Sequence, residues 1–294
     1  SYGVNALFGL PDNFTTQALI ILGLMAVYLT SAVSGVTRGI QILSRANMIL
    51  GGFLLLFIVI VGPTLFIATS FADGLGTHLA NFFSLALYRG DADWFGPAGW
   101  LGWWTVFFWG WFIGYGPLMA IFIARVSRGR SLRSIVLMLS VVAPLITMVW
   151  FTILGGTGLG LELADTGAVS GAMDGLDLPA ALLAVTQAMP QGFVLSLLFL
   201  VLTTVFVATT GDSMTYALSV TMSRHDHPST ALRVFWGAAM GVMALTLVGL
   251  GSGGIGKLQS FIVVTAVPVS LILLPSLWDA FRITRSLAPV RSES

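Results

Sequence analysis

Seven apolar stretches, each of roughly 20 residues, constrain this chain more than any other feature of its sequence. A helix of that length crosses a hydrocarbon core of about 30 Å and satisfies its own backbone hydrogen bonds where water is absent. No strand-like alternation competes with these stretches. The sequence therefore predicts an all-α integral membrane protein of about seven transmembrane helices, at residues 16–35, 47–69, 102–124, 134–155, 191–211, 232–251 and 258–280.

The composition excludes several other classes of protein. The chain is 56% hydrophobic and only 9% charged, with a mean hydropathy of +0.95, so its solvent must be lipid. It has no cysteine, which excludes disulfides, thiolate metal sites and cysteine nucleophiles. The histidines give no Ser/His/Asp arrangement, so no enzyme is predicted, and nothing indicates a nucleic-acid partner. The start at Ser1, without an initiator Met, indicates a fragment or processed piece.

The basic residues predict the orientation of the chain. Eleven of the 13 Lys and Arg residues fall in segments that would lie on one side of the membrane, and only Arg89 and Lys257 fall on the other. The positive-inside rule then places the N-terminus outside and the C-terminus in the cytoplasm of a multi-pass inner-membrane protein. The eleven are Arg38, Arg45, Arg125, Arg128, Arg130, Arg133, Arg224, Arg233, Arg282, Arg285 and Arg291.

The two long outer segments, 70–100 and 157–190, are predicted to contain short surface or re-entrant helices. Their apolar patches at 79–87 and 178–188 are too short to span a membrane. In the second segment Asp177 precedes Leu178 and Pro179, a sequence typical of a helix start.

The third apolar stretch is unusually aromatic, with four of the nine Trp residues of the chain within residues 103–117. Trp104, Phe108, Trp111 and Tyr115 are spaced to share one helical face. Interfacial belts explain Trp at a membrane surface, but Trp111 and Tyr115 lie two to three turns deeper. Ordinary helix packing is one interpretation of these deep rings. The other is an aromatic cage for a quaternary ammonium, a cation without N–H groups that ring faces attract.

Backbone irregularity is expected directly after these aromatics. Residues 114–117 read Gly-Tyr-Gly-Pro, and Pro117 removes one helical hydrogen bond. Near the membrane midplane this pattern predicts a discontinuous helix that exposes its backbone to substrates or ions.

Several motifs together resemble one known family. The segments WTVFFWGW at 104–111, ARVSRGRSLR at 124–133 and FVATTGDS at 206–213 resemble the signature sequences of the betaine/choline/carnitine transporters. The resemblance implies a LeuT-like fold of twelve spans with two inverted five-helix repeats. Residues 1–294 would form a single transmembrane domain corresponding to spans six to twelve, with 16–69 ending the first repeat and 102–280 forming the second.

The resemblance also implies roles for individual residues. Trp111 and Phe112 match the tandem Trp positions of the substrate site, and Tyr115 matches a further Trp of that site. A second set of residues would hold sodium through hard oxygen ligands. A loop of arginines would belong to the cytoplasmic gate and meet anionic lipid headgroups. The substrate-site prediction comprises Trp104, Phe107, Trp109, Trp111, Phe112 and Tyr115, the sodium prediction Phe206, Thr209 and Thr210, and the gate prediction Arg125, Arg128 and Arg130.

Two polar features have plainer interpretations. Thr209 and Thr210 could bond back to carbonyls of their own helix. Asp212, the acid near the end of the fifth predicted span, is expected to cap the helix or pair with a cytoplasmic arginine.

The sequence thus predicts a secondary active transporter that imports a betaine-, choline- or carnitine-like onium solute, with Na⁺ as coupling ion and no cofactor. A sodium-independent onium antiporter is one alternative, because Tyr115 and Met119 match an exchanger of the family, while Phe112 departs from the family Trp. An amino-acid transporter of LeuT-like fold is another, and a seven-helix receptor or retinal protein a distant one. Expected partners are the onium solute and membrane lipids, and the resemblance makes a homotrimer possible.

Overall fold

The computed structural model describes residues 1–34, 36–88, 99, 101–165, 167–172, 178–223, 228–251 and 253–286. These residues form helices and their connections, with no strand among them. The helices are α1 Tyr2–Phe8, α2 Phe14–Ser34, α3 Val36–Val61, α4 Thr64–Ala80, α5 Phe82–Ala86, α6 Phe107–Val126, α7 Leu132–Leu137, α8 Ala143–Ala164, α9 Leu178–Gln187, α10 Gly192–Met222, α11 Thr230–Gly249 and α12 Gly253–Ser286. Two π-helical segments, Leu101–Val106 and Met138–Val142, precede α6 and α8.

Seven helical segments of the described chain are long and apolar enough to cross a membrane, which confirms the predicted number. They fall at Phe14–Ser34, Gln41–Val61, Trp104–Val126, Leu132–Ala164, Gly192–Met222, Thr230–Gly249 and Leu258–Ala280. The chain is a multi-pass membrane protein. Its orientation in the membrane stays a prediction.

The second span differs from its predicted bounds. The apolar run suggested 47–69, but α3 begins at Val36 and ends at Val61. Pro63 has no N–H to continue the helix, and Thr64 starts a new helix, with its hydroxyl donating to the carbonyl oxygen of Val59 at 2.5 Å. Residues 64–69 therefore belong to α4. That helix continues to Ala80 and is followed by the short α5, where the sequence predicted one patch at 79–87.

The fourth and fifth spans are longer than predicted. α8 continues to Ala164, and α10 continues to Met222, eleven residues beyond the predicted end at 211. Hydropathy falls at Gly211 and Asp212, and that fall suggested a terminus. The helix continues because its polar side chains have partners in the protein; Thr215, for example, donates to the carbonyl oxygen of Gly211 at 2.7 Å. Asp212 is therefore inside a helix rather than near its end.

The predicted discontinuity at residues 114–117 is wrong, because α6 is a continuous α-helix from Phe107 to Val126 with Pro117 inside it. The irregular backbone lies about two to four turns earlier, in the π-helical segment Leu101–Val106. Such segments are frequent at functional sites, because the extra residue per turn redirects the neighbouring side chains.

Among the short helices between the spans, α9 begins at Leu178, as predicted. Its proposed capping residue Asp177 lies outside the described residues. Arg89, Arg224 and Arg291, which contributed to the predicted orientation, lie outside them as well.

The chain forms two compact units, one of Ser1–Leu87 with Ala124–Gly249 and the other of Tyr88–Ile123 with Leu250–Ser294. In the first unit α10 packs against α3, and α2 packs against α10 and α11. Apolar side chains of α3 and α10 form most of its core, in which Leu54 and Ile58 are completely buried. The core residues are Leu54, Ile58, Ile67, Ile153, Met189, Leu195, Phe199 and Leu202.

In the second unit α6 approaches α12 at two glycines one turn apart. A Cβ atom at Gly110 would lie 2.8 Å from Cγ1 of Val263 and 3.3 Å from its Cα atom. At Gly114 it would lie 2.9 Å from Cγ2 of Ile262 and 3.0 Å from its carbonyl oxygen. Small residues spaced by four let membrane helices approach closely. One face of α6, formed by glycines, therefore lies against α12, and the neighbouring faces of α6 carry aromatic side chains.

We expect Gly110→Leu to destabilise the full-length protein by about 1–3 kcal/mol, because the new Cβ atom alone would overlap the Val263 side chain and press against its backbone. The measurement is the apparent melting temperature of detergent-solubilised protein. Gly116→Leu is the matched control on the same helix, since a Cβ atom there has nothing within 4 Å. Equal melting temperatures for the two variants would contradict the close approach.

Candidate substrate and ion sites

Aromatic side chains of the π-helical segment and the first two turns of α6 form a connected set of rings. Trp104 stacks on Phe108 with centroids 5.5 Å apart and planes within 8°. Phe107 meets Phe108 edge to face at 5.4 Å, and it meets Trp111 at 5.1 Å with an interplanar angle of 87°. We call these four connected residues, Trp104, Phe107, Phe108 and Trp111, the ring set.

The remaining predicted aromatics divide into two groups. Phe112 and Tyr115 contact each other, with centroids 5.7 Å apart and planes tilted by 42°. Trp109 is 67% exposed and, two residues from Trp111, lies on another side of the helix. The structure therefore groups Trp104, Phe107 and Trp111 with Phe108, pairs Phe112 with Tyr115, and separates Trp109 from both.

Ring faces in this region remain open. Trp104 is 48% exposed and Phe112 is 57% exposed, while Trp111 and Tyr115 are half-buried. Neighbouring rings hold one another in place through these contacts. Several such faces attract a cation that donates no hydrogen bond, by about 2 kcal/mol or more each when water is excluded.

The residues predicted to hold sodium lie on adjacent turns in the middle of α10. The hydroxyl of Thr209 donates to the carbonyl oxygen of Phe206 at 2.9 Å, so these two oxygen atoms are close together. This is the back-bonding that the sequence offered as the plainer interpretation. It leaves the lone pairs of the Thr209 hydroxyl available to a cation. Thr210 is exposed, and its side chain reaches a different side of the helix.

A cavity of about 350 Å³ lies beside this part of α10, between α2 and α11. Phe206 and Thr210 are on its wall, together with Tyr28 and Gly241. The rest of the lining is apolar. Two of the three residues predicted to hold sodium therefore border a space within the first unit.

The available donors suit Na⁺ only in part. One carbonyl and two hydroxyl groups are hard, neutral oxygen ligands of the kind a monovalent hard cation takes. They come from a single helix, and Thr210 lies on a different side of it from Thr209, so a Na⁺ site there would need further ligands from other segments. Within the described residues no group of three His, Cys, Asp or Glu side chains could hold a metal ion.

A buried ion pair lies directly beside these threonines. Asp212 follows Thr209 by three residues, and its Oδ1 atom lies 3.4 Å from Nη2 of Arg233. The side chains of Asp212 and Arg233 are only 1% and 6% exposed. The guanidinium also lies over the ring of Tyr216, 5.9 Å from its centroid. The predicted pairing of Asp212 with an arginine is confirmed, although both partners are buried.

Sequence reasoning missed the contribution of α2 to this cluster. The Ser31 hydroxyl donates to Oδ2 of Asp212 at 2.7 Å. One turn earlier, the Tyr28 hydroxyl donates to the carbonyl oxygen of Gly237 at 2.7 Å. A Cβ atom at Gly211 would lie 3.0 Å from the Tyr28 ring, so α10 and α2 are in close contact. The spacing of Tyr28 and Ser31 by three within an apolar helix was the available signal.

The predicted gate arginines lie at the C-terminal end of α6 and directly after it. Arg125 is in the last turn of that helix, where a positive charge interacts favourably with the helix dipole. Arg130 closes a turn by donating its N–H to the carbonyl oxygen of Ser127 at 3.0 Å. Arg128 is exposed, as is Arg130. The structure places all three at one end of α6, as the sequence predicted.

The chain matches the family model of the betaine/carnitine/choline transporters over residues 1–288. It is 54% identical, over 98% of its own length, to Glycine betaine transporter 2 of Vibrio parahaemolyticus and covers 52% of that protein. It is 36% identical, over 92% of its length, to Glycine betaine transporter OpuD of Bacillus subtilis and covers 52% of it. It is 34% identical to an ectoine/hydroxyectoine transporter of Virgibacillus pantothenticus, over 92% of its length and 53% of that protein.

These matches and the seven apolar helices of the described residues place the chain among the multi-pass membrane proteins of a transporter family. The chain belongs to the betaine/carnitine/choline transporter family. It spans about half the length of the curated relatives it matches. The family resemblance predicted from the sequence is confirmed.

Proposed function

We propose that the full-length protein imports a quaternary-ammonium or related onium solute by secondary active transport coupled to Na⁺. The ring set, on the π-helical segment and α6, is the observation that carries this proposal. Its stacked and edge-to-face contacts hold Trp104 and Trp111 in fixed positions, with open ring surface beside them. Such a surface binds a methylated cation in preference to a primary ammonium, which needs hydrogen-bond acceptors.

The names of the relatives support the same class of solute. Two are glycine betaine transporters and a third carries ectoine or hydroxyectoine. Glycine betaine has a quaternary ammonium and ectoine a delocalised cation, and each also carries a carboxylate. We propose glycine betaine as the first solute to test.

Sodium coupling rests on the oxygen atoms of α10. The Phe206 carbonyl and the hydroxyls of Thr209 and Thr210 would supply half of a Na⁺ site. The remaining ligands would come from elsewhere in the full-length protein. In this proposal Na⁺ is co-transported substrate, and its gradient drives solute entry.

The other family properties remain part of the proposal. A LeuT-like inverted repeat, the 16–69 and 102–280 repeat segments, an outer N-terminus and a homotrimer would follow from membership of the family. The arginines at the end of α6 would face the cytoplasm, where they meet anionic lipid headgroups and contribute to the gate.

The test is uptake of labelled glycine betaine by cells that lack other uptake systems and express the full-length protein. Unlabelled choline, carnitine and ectoine are the onium competitors, with leucine and glycine at equal concentration as the amino-acid controls. We expect at least one onium competitor, and neither amino acid, to reduce uptake. Inhibition by the amino acids alone would favour an amino-acid transporter of the same architecture.

The same cells separate coupled import from exchange. Replacing external Na⁺ by K⁺ is expected to reduce uptake into cells without preloaded solute. Uptake that is indifferent to Na⁺ but stimulated by internal solute would identify the sodium-independent antiporter instead.

A further inference from the structure

The buried cluster of Ser31, Asp212 and Arg233 joins three helices at the turn of α10 that carries the threonines. Its carboxylate accepts hydrogen bonds from Ser31 on α2 and from Arg233 on α11. Asp212 and Arg233 bury opposite charges in a membrane protein, where ionisable groups are rare and usually functional. The proposed transport cycle gives this cluster no role.

In the turns around Asp212, α10 has one buried face and one exposed face. Asp212 is buried together with Ala208, Thr215 and Ser219, which lie on the same side at spacings of three or four residues. Thr210 is two residues from Asp212, about 200° around the helix, and is exposed. Phe206, on the side of Thr210, is 60% exposed. The position of Asp212 on the buried face of α10 therefore determines the direction in which the exposed face, with Phe206 and Thr210, points.

Hydrogen bonds from two different helices fix the rotation of α10 about its own axis. A single hydrogen bond would leave α10 free to rotate. Ser31 holds one carboxylate oxygen of Asp212 and Arg233 holds the other. The neighbouring Gly211 lies against the Tyr28 ring, so α10 cannot move toward α2. A helix rotation of about 20° would move a hydroxyl about 4 Å from the axis by roughly 1.4 Å. Cation coordination distances are constrained to about 0.2 Å, so such a rotation would weaken a site without unfolding the helix.

We propose that Asp212, held by Ser31 and Arg233, is a positioning residue that sets the rotation of α10 and thereby the affinity of the Thr209 and Thr210 half-site for Na⁺. The inference rests on the Na⁺ half-site of the proposed function. It assigns to Ser31, on α2, an influence on an ion that it does not touch.

Ser31→Ala in the full-length protein is the direct test, because it removes one of the two bonds and leaves the ion pair. The half-saturating Na⁺ concentration for glycine betaine uptake is expected to rise about fivefold, the factor that corresponds to one buried hydrogen bond. The KM for glycine betaine at saturating Na⁺ is expected to change by less than about twofold, because distant and independent sites affect each other by no more than that.

Ser196→Ala is the matched control. Ser196 on α10 is buried, as Ser31 is on α2, and its hydroxyl makes a hydrogen bond of the same length, 2.7 Å, to Thr186. It lies 13 residues from Thr209, about 20 Å along the helix. This variant loses comparable packing and hydrogen bonding, and it is expected to keep the wild-type Na⁺ dependence.

The outcomes separate the inference from the function on which it rests. Wild-type uptake that does not depend on Na⁺ would overturn both the half-site and this role of Asp212. With Na⁺-dependent wild-type uptake, equal half-saturating Na⁺ concentrations for Ser31→Ala and Ser196→Ala would overturn the positioning role alone. A parallel rise in the KM for glycine betaine would identify a general structural defect and would also contradict it.

Discussion

Replacement of Trp111 by leucine in the full-length protein is expected to raise the KM for onium uptake about 30-fold. The indole would lose its attraction for the cation, about 2 kcal/mol for a desolvated ring face. It would also lose its edge-to-face contact with Phe107, which holds both rings in place. Phenylalanine at position 111 keeps a smaller ring face, so Trp111→Phe is expected to fall between leucine and wild type.

Trp278→Leu is the control for this change. Trp278 is on α12 and is 83% exposed, so the variant alters a tryptophan outside the ring set. Initial rates of labelled uptake, normalised to the amount of protein in the membrane, give the comparison. If Trp111→Leu and Trp278→Leu keep the same KM, the ring set does not bind the solute.

Replacement of Arg233 alone is expected to destabilise the protein more than Gly110→Leu does. Arg233→Met leaves the Asp212 carboxylate without its counter-ion in a site where it is 1% exposed. Removing one partner of a buried pair costs about 3–5 kcal/mol, because the remaining charge stays buried. We expect little folded full-length protein, measured as the monodisperse fraction after detergent extraction.

The double substitution Asp212→Asn with Arg233→Met is expected to recover much of this loss, since it removes both charges. Arg133→Met, at an exposed arginine, serves as the control for loss of a positive charge. If the double variant is no more abundant than Arg233→Met, the pair does not explain the stability of this region.

The sequence alone predicted the features that depend only on the residues along one helix. Stretches of about 20 apolar residues predicted seven spans, and seven suitable helices are present in the described residues. The aromatic spacing placed Trp104 next to Phe108, and the structure stacks them. The motif matches indicated the family, because their residue types and order are specific over nearly the whole chain.

The sequence failed where neighbouring helices decide the outcome. Asp212 resembled a helix end because its charge lowers local hydropathy, yet α10 continues for ten residues beyond it. The charge is tolerated there because Ser31 and Arg233, distant in sequence, satisfy the carboxylate. Likewise Pro117 resembled a break, but α6 continues through it, and membrane helices tolerate such a proline when the freed backbone groups find other partners.

The most direct test of sodium-coupled onium transport is uptake into proteoliposomes that contain the purified full-length protein. Labelled glycine betaine is supplied outside, with an inward Na⁺ gradient in one sample and equal Na⁺ on both sides in the other. We expect accumulation above the equilibrium concentration only with the gradient, and loss of that accumulation with Trp111→Leu. Equal uptake in both samples, or accumulation unaffected by the substitution, would contradict sodium-coupled transport through the ring set.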